Sequence, residues 1–432
     1  ALYYVGSGTD LQIWTQGQGK YTSHWLPSFD DPNEKVVFNT KVTFETGYEV
    51  ISNGLLEGKT VSGKNTTWNY KMTKPMSSYL VMMAIGKYNK KTEKSASGVL
   101  LENYFRPIDA SKYTSTYLHN KRIFDYLEQQ IGFSYPWHIY RNIPAEDFMY
   151  GGMENTTSTI FNSDYVVDEI GVSDRNYLNV NAHEMAHQWF GNLITAKTNK
   201  DHWLQEGFAT YYALLAEREI NGADHFYWEL YEMAELIEND KKKNKNTAVY
   251  SEKATTITYY QKGAWMLFYL STQISETNFN LVVKNFLSKY AYKNVTTNEF
   301  LTEVTAVVPN FNVANFKENW LENKSFNTKE ALFLIQNTPI VKDYLEILAL
   351  QEKAFDAKKE TLLKALKNEN VAIEAKREII FQLHKLPYED VKEFYNYVAT
   401  SNNIKLRQAL AQIIDEIPAD FKSSYESFLN DK

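Results

Sequence analysis

Two histidines four positions apart, His183 and His187 in VNAHEMAHQWFGN, and a glutamate in WLQEGFATYYALLAERE, Glu206, constrain this chain more than any other feature. On an α-helix, residues i and i+4 share a face, so both imidazoles point the same way. The WLQEG segment also reads as helix, and antiparallel packing of the two helices brings the Glu206 carboxylate beside the imidazoles. Two imidazoles, one carboxylate and an open position make the ligand set of a catalytic zinc, whose bound water approaches a pKa of about 7. Glu184 follows the first ligand directly. Its carboxylate lies near that water without holding the metal, which suits a general base. An ordinary amphipathic turn has no need of this pairing, and histidine is scarce here, with eight in 432 residues.

The chain has no cysteine, so a metal must be held by imidazole and carboxylate, and one Zn2+ per chain is expected. Without cysteine the compartment stays open between cytoplasmic and periplasmic or secreted, for a soluble protein. A net charge of -7 and a pI near 5.8 supply no basic surface for phosphates, so nucleic acid is not an expected partner. No apolar stretch reaches the length of a membrane span. Ala1 opens straight into an aromatic segment without a basic and apolar leader, so the sequence is expected to start mid-chain.

The pattern along the chain predicts a multidomain α+β protein. Short β-branched and aromatic runs such as VVFNTKVTFE, broken by turn formers such as Asp30-Asp31-Pro32-Asn33, predict a partial N-terminal β-sheet domain over residues 1–104. TYLHNKRIFDYLEQQIG then places Tyr117, Ile123, Phe124, Tyr126 and Leu127 at helical spacing before Gly132 and Pro136. A catalytic domain is expected over residues 105–325, and an α-helical, repeat-like C-terminal domain over 326–432. The charged run from Asp240 to Asn246 reads as a solvated loop.

Two other groups of residues bear on chemistry. Gly151-Gly152-Met153-Glu154-Asn155 joins backbone that can approach a ligand closely to a carboxylate that can pair with a positive end, although alone it reads more readily as a simple turn or bulge. Tyr260 in YQKG, at an expected helix start, offers a phenol to an oxyanion, yet one of 31 tyrosines is by itself a packing residue. His24, His119, His138, His202, His225 and His384 lack ligand spacing and read as surface or structural residues.

TQGQ, LPSFDDP, GGMEN, HEMAHQWFGN, WLQEGFA and YQKG follow one another between Thr15 and Gly263. By these motifs the chain resembles the zinc aminopeptidases of the aminopeptidase N and leukotriene hydrolase family, gluzincins with an HExxH-x18-E site. TQGQ and LPSFDDP lean toward the leukotriene hydrolase branch. The resemblance implies a thermolysin-like catalytic domain and peptide substrates with a free N-terminus. Glu154 would bind the α-amine with help from Gln18, while Gly151, Gly152, Met153 and Asn155 form the rest of the substrate strand, and Tyr260 would stabilise the oxyanion. Three positions depart from the family pattern. GGMEN has Gly152 where many members have alanine, Gln205 stands where asparagine is usual, and Ala213 stands where an acid often supports a zinc histidine. Glu217 or a backbone carbonyl is expected to take over that last role.

The expected activity is removal of N-terminal residues by zinc-activated water with Glu184 as base, and the aromatic richness points to apolar or aromatic side chains. The alternatives are an endopeptidase of the thermolysin type, an epoxide hydrolase side activity at the same metal, and a catalytically weak peptide-binding homologue.

Overall fold

Thr66, Trp68 and Tyr70 are buried at every second position of the strand Asn65–Lys71, the period of a strand with one face on a core. This strand is central in an antiparallel sheet with Asn39–Glu45 and Leu55–Ser62. Trp68 and Tyr70 share a cluster with Ile13, Val50 and Ile85. Those three belong to a four-stranded antiparallel sheet, in the order Leu2–Val5, Gln12–Thr15, Met83–Gly86, Glu49–Ser52.

A third sheet is mixed. Leu100–Phe105 pairs antiparallel with Asn89–Lys94 and parallel with Ile139–Ala145, which is followed by Ser158–Asn162 and the short edge strand Gly152–Met153. All seven residues of Ile139–Ala145 are buried, as befits a strand covered on both faces. The boundary expected after residue 104 falls inside Leu100–Phe105. The parallel step needs a crossover, and it contains helix α1 (Asn120–Ile131), which buries Ile123, Phe124, Leu127 and Ile131 and ends at Gly132 in the left-handed region. Tyr117 precedes this helix, and its hydroxyl donates to Tyr104 O at 2.6 Å.

The helices that follow include α2 (Leu178–Ala186), α3 (Trp203–Asn221), α4 (Ala223–Lys242) and α5 (Gly263–Ile274). Residues 203–217 of α3 are all buried, so this helix forms part of the core itself. The charged run expected as a loop begins inside α4, which extends to Lys242.

The computed structural model describes residues 1–426 and Phe428. It divides into one unit of residues 1–222 and 233–326 and a second of residues 223–232 and 327–432, of which 427 and 429–432, at the end of the expected C-terminal domain, lie outside the described residues. In the second unit Leu362, Ile379, Val391, Phe394 and Leu410 come from four successive helices and form one core. Among the described residues no helix is long and apolar enough to cross a membrane.

Candidate active site

The C-terminal end of α2 meets the N-terminal end of α3. Asn179, early in α2, donates to Glu217, late in α3, at 2.9 Å, while His187 lies against Glu206 in the first turn of α3, so the two helices run antiparallel. Nε2 of His183 and of His187 lie 3.4 and 3.2 Å from Glu206 Oε2 and 3.0 Å from each other. Although α2 ends at Ala186, His187 keeps helical dihedrals, which preserves the shared face. Its Nδ1 lies 2.8 Å from Phe190 O. That carbonyl accepts from Nδ1–H and so points Nε2 toward Glu206 as the nitrogen that would face a metal, a support that position 213, a buried alanine, cannot give.

This donor set fits a zinc ion. One atom from each of His183, His187 and Glu206 lies within 4.8 Å of the others, and Glu154, Glu184 and His187 form a second such group. Glu206 Oε2 is buried and receives no well-aligned hydrogen bond from any described residue. Three buried carboxylates facing two imidazoles call for a cation, and nitrogen with oxygen ligands suits zinc.

The electrostatics separate the carboxylates. Burial pushes Glu184 well above the usual carboxylate range, with Glu154 and Glu206 adding to it, and burial likewise raises Glu154. Glu206 moves the other way: burial is outweighed by the charge on His187 and by the imidazoles of His183, His187 and His202. Burial pulls His187 down, but Glu206, Glu154 and Glu184 outweigh it and lift the imidazole to about 10. Burial lowers His183. Burial and the three carboxylates raise the Tyr260 phenol, so it remains a neutral donor.

The GGMEN segment lies directly against this cluster. A Cβ on Gly152 would fall 2.5 Å from Glu184 Cγ and 2.6 Å from its Oε1, whereas one on Gly151 would meet nothing nearer than 3.5 Å. Glu154 is buried, and its carbonyl accepts from Asn192 Nδ2 at 2.7 Å and Gln188 Nε2 at 3.3 Å. Gln188 Oε1 also accepts from the amide of Thr157 at 3.0 Å. Thr157 has φ 69°, an unfavourable conformation for a β-branched residue that these contacts maintain. Met153 is buried in its edge strand, and Asn155 is fully buried with its amide on Leu80 O. Both shape the segment from behind. Gln18, Tyr79, Glu154, His202 and Gln205 line a common cavity of about 380 Å3.

Tyr260 sits in a π-helical turn, Thr258–Lys262, that leads into α5, a wider local geometry than the plain helix start expected. Its ring lies parallel to that of His183, with centroids 5.5 Å apart. Lys262, on the same turn, donates to the carbonyls of Thr247, Asn323 and Lys324 at 3.1, 2.8 and 2.9 Å.

Residues 1–80 match the peptidase M1 N-terminal domain and residues 116–320 the peptidase family M1 domain, together more than half of the chain. The chain belongs to peptidase family M1. It is 30% identical over 295 residues to the glutamyl aminopeptidase of Bos taurus, covering 64% of this chain and 30% of that protein. It is 26% identical over 319 residues to the probable aminopeptidase 1 of Sulfurisphaera tokodaii, covering 70% of this chain and 40% of that protein. The chain thus spans less than half the length of these curated relatives. Its fold is similar to that of the M1 zinc metallopeptidase of Deinococcus radiodurans, with a TM-score of 0.62 at 19% identity over 73% of this chain and 70% of that one. A mutant of the Deinococcus protein bound to a Tyr-Ser-Ala substrate matches with the same TM-score at 20% identity, again over 73% and 70% of the two chains.

Gln188, Asn192 and Tyr79 carry no role in the sequence reading, and His202, which reads there as a surface or structural residue, lies against Glu206. Gln188 and Asn192 stand inside HEMAHQWFGN, so their polarity on a buried turn was the available signal. His202 lies four residues before Glu206, the same spacing that marks the histidine pair. Tyr79 accepts from Gln205 Nε2 at 3.1 Å and lines the same cavity as Glu154, whose charge adds to the burial that raises its phenol, and nothing local marks it. Gln205 also accepts from the amide of Ala196 at 2.9 Å, a reach to which the longer glutamine side chain is suited.

Proposed function

We propose that this chain is a zinc-dependent aminopeptidase that removes the N-terminal residue from peptides. The observation that carries the reading is the buried cluster in which His183, His187 and Glu206 converge while Glu154 and Glu184 crowd His187. His183, His187 and Glu206 would hold one zinc ion per chain. When bound, the ion supplies Lewis acidity, which lowers the pKa of water and draws charge from a carbonyl.

Glu184, with its proton affinity raised by burial, takes a proton from water and returns it to the leaving amine. Glu154 pairs with the ammonium of a free N-terminus, with Gln18 lining the same cavity. Gly151 and Gly152 let the substrate backbone run close to Glu184. The neutral Tyr260 phenol donates to the carbonyl oxygen as negative charge develops there. Met153 and Asn155 hold this segment in place from the buried side. The names of the relatives, and the tripeptide bound by the Deinococcus protein, support peptides as the substrate class.

The test pairs metal content by mass spectrometry with turnover of leucine para-nitroanilide, with and without a chelator, and with an N-acetylated substrate. About one zinc per chain, with chelator-sensitive turnover confined to free amines, is the expected result. Cleavage of blocked peptides at equal rates would replace the exopeptidase reading with an endopeptidase, and protein that takes up no zinc would overturn the metal reading.

A further inference from the structure

His202 immediately precedes α3 and has helical dihedrals, φ -59° and ψ -26°, so it shares a face with Glu206 one turn on. Its Nε2 lies 3.2 Å from Glu206 Oε1, whereas His183 and His187 both face Oε2. The two carboxylate oxygens therefore have different neighbours. Tyr259 meets the His202 ring edge-on with centroids 5.1 Å apart, and its own hydroxyl reaches Asn199 O at 2.9 Å and Ser251 O at 3.0 Å. The imidazole is thus braced on one side and open on the other to the cavity it shares with Glu154. Its side chain is 35% exposed, against 1% for Glu206.

A buried carboxylate whose second oxygen had no donor would bear the desolvation cost of that oxygen uncompensated and would be free to rotate about its last torsion. We propose that His202 is a positioning residue that donates Nε2–H to Glu206 Oε1 and so keeps Oε2 turned toward the point where His183 and His187 converge. This rests on the reading that Glu206 holds zinc. The imidazole acts as a hydrogen-bond donor to the carboxylate and not as a ligand of the metal. Partners of this kind typically account for about 10-fold to 100-fold in metal affinity.

The experiment is zinc release from the loaded full chain into an excess of a chromogenic chelator, for wild type, His202→Phe and His202→Gln. Phenylalanine keeps a ring against Tyr259 but has no donor, and glutamine restores a donor. The expected result is release about 10-fold to 100-fold faster from the phenylalanine variant, return toward wild type with glutamine, and equal melting temperatures for the three metal-free forms. Unchanged release from His202→Phe would overturn the inference. So would equally fast release from both variants, or a metal-free His202→Phe that melts as far below wild type as the loaded one does. A wild-type chain that takes up no zinc overturns the metal reading first, which distinguishes that failure from this one.

Discussion

Gly207 and Gly263 touch backbone to backbone: a Cβ on Gly207 would lie 3.1 Å from Gly263 Cα, and one on Gly263 would lie 3.0 Å from Gly207 Cα. Gly207 follows Glu206 directly and Gly263 closes YQKG, so this contact sets how near the Tyr260 turn comes to the carboxylate of Glu206. We expect Gly263→Ala to force the two elements apart, with an overpacking cost of about 1–3 kcal/mol. Because misplacement by ~1 Å can cost ~100-fold in rate, kcat should fall by about that factor while zinc content is kept. Steady-state kinetics beside metal analysis check this, and wild-type kcat would mean that the helices can yield without moving Tyr260.

Glu184→Gln keeps the shape of the side chain and removes its ability to accept a proton. Turnover should fall by roughly 100-fold to 10,000-fold, the usual range for a general base. Zinc stoichiometry should stay unchanged, because the converging ligands are His183, His187 and Glu206. Full activity in this variant would remove Glu184 from the mechanism.

Gly151 and Gly152 predict unequal responses to the same substitution. Gly152→Ala places a methyl group within 2.6 Å of the Glu184 carboxyl group, while Gly151→Ala meets only ordinary contacts with Val180 and Tyr165. The first should lower kcat at least ~10-fold by displacing the base, and the second should leave it within about twofold. Equal effects in kinetic assays of the two variants would contradict the geometry.

Lys262 predicts a pH effect whose sign follows from burial. Burial lowers its pKa from 10.5 to about 8, so between those values the unfolded chain holds a proton that the folded chain has released. Stability contributed by this residue therefore rises with pH across that window, and below it the charged form carries its desolvation cost in full. Lys262→Met should be less stable at pH 7 by about 1–3 kcal/mol, because carbonyls of Thr247, Asn323 and Lys324 lose their donor. The gap to wild type should widen from pH 8 to pH 10. Chemical denaturation at several pH values measures it, and a constant gap would show that the ammonium titrates normally.

The residues proposed to hold zinc and to act as base were nameable from sequence because they are local. His183, Glu184 and His187 lie within one helical turn, and the periodicity around Glu206 marks a second helix. The strand character of the first hundred residues was readable for the same reason, since alternation of exposed and buried side chains is a short-range pattern. The edge of that region was not. Leu100–Phe105 pairs with Ile139–Ala145 across an intervening helix, and strand order depends on partners far along the chain. His202 lay within local reach, four residues from Glu206, but it could be recognised only with the carboxylate oxygen it faces in view.

Residue identity and helical period by themselves determined which groups on this chain can share a metal and which glutamate stands next to it. The tertiary structure alone decided how those groups are oriented and charged. It brought Phe190 O to His187, Gln188 and Asn192 to Glu154, Gln205 to Tyr79, and Gly207 to Gly263. The reason is physical: a hydrogen bond, a close backbone approach or the burial of a carboxylate is set by distance in space, and covalent spacing fixes that distance only within a turn or two of helix.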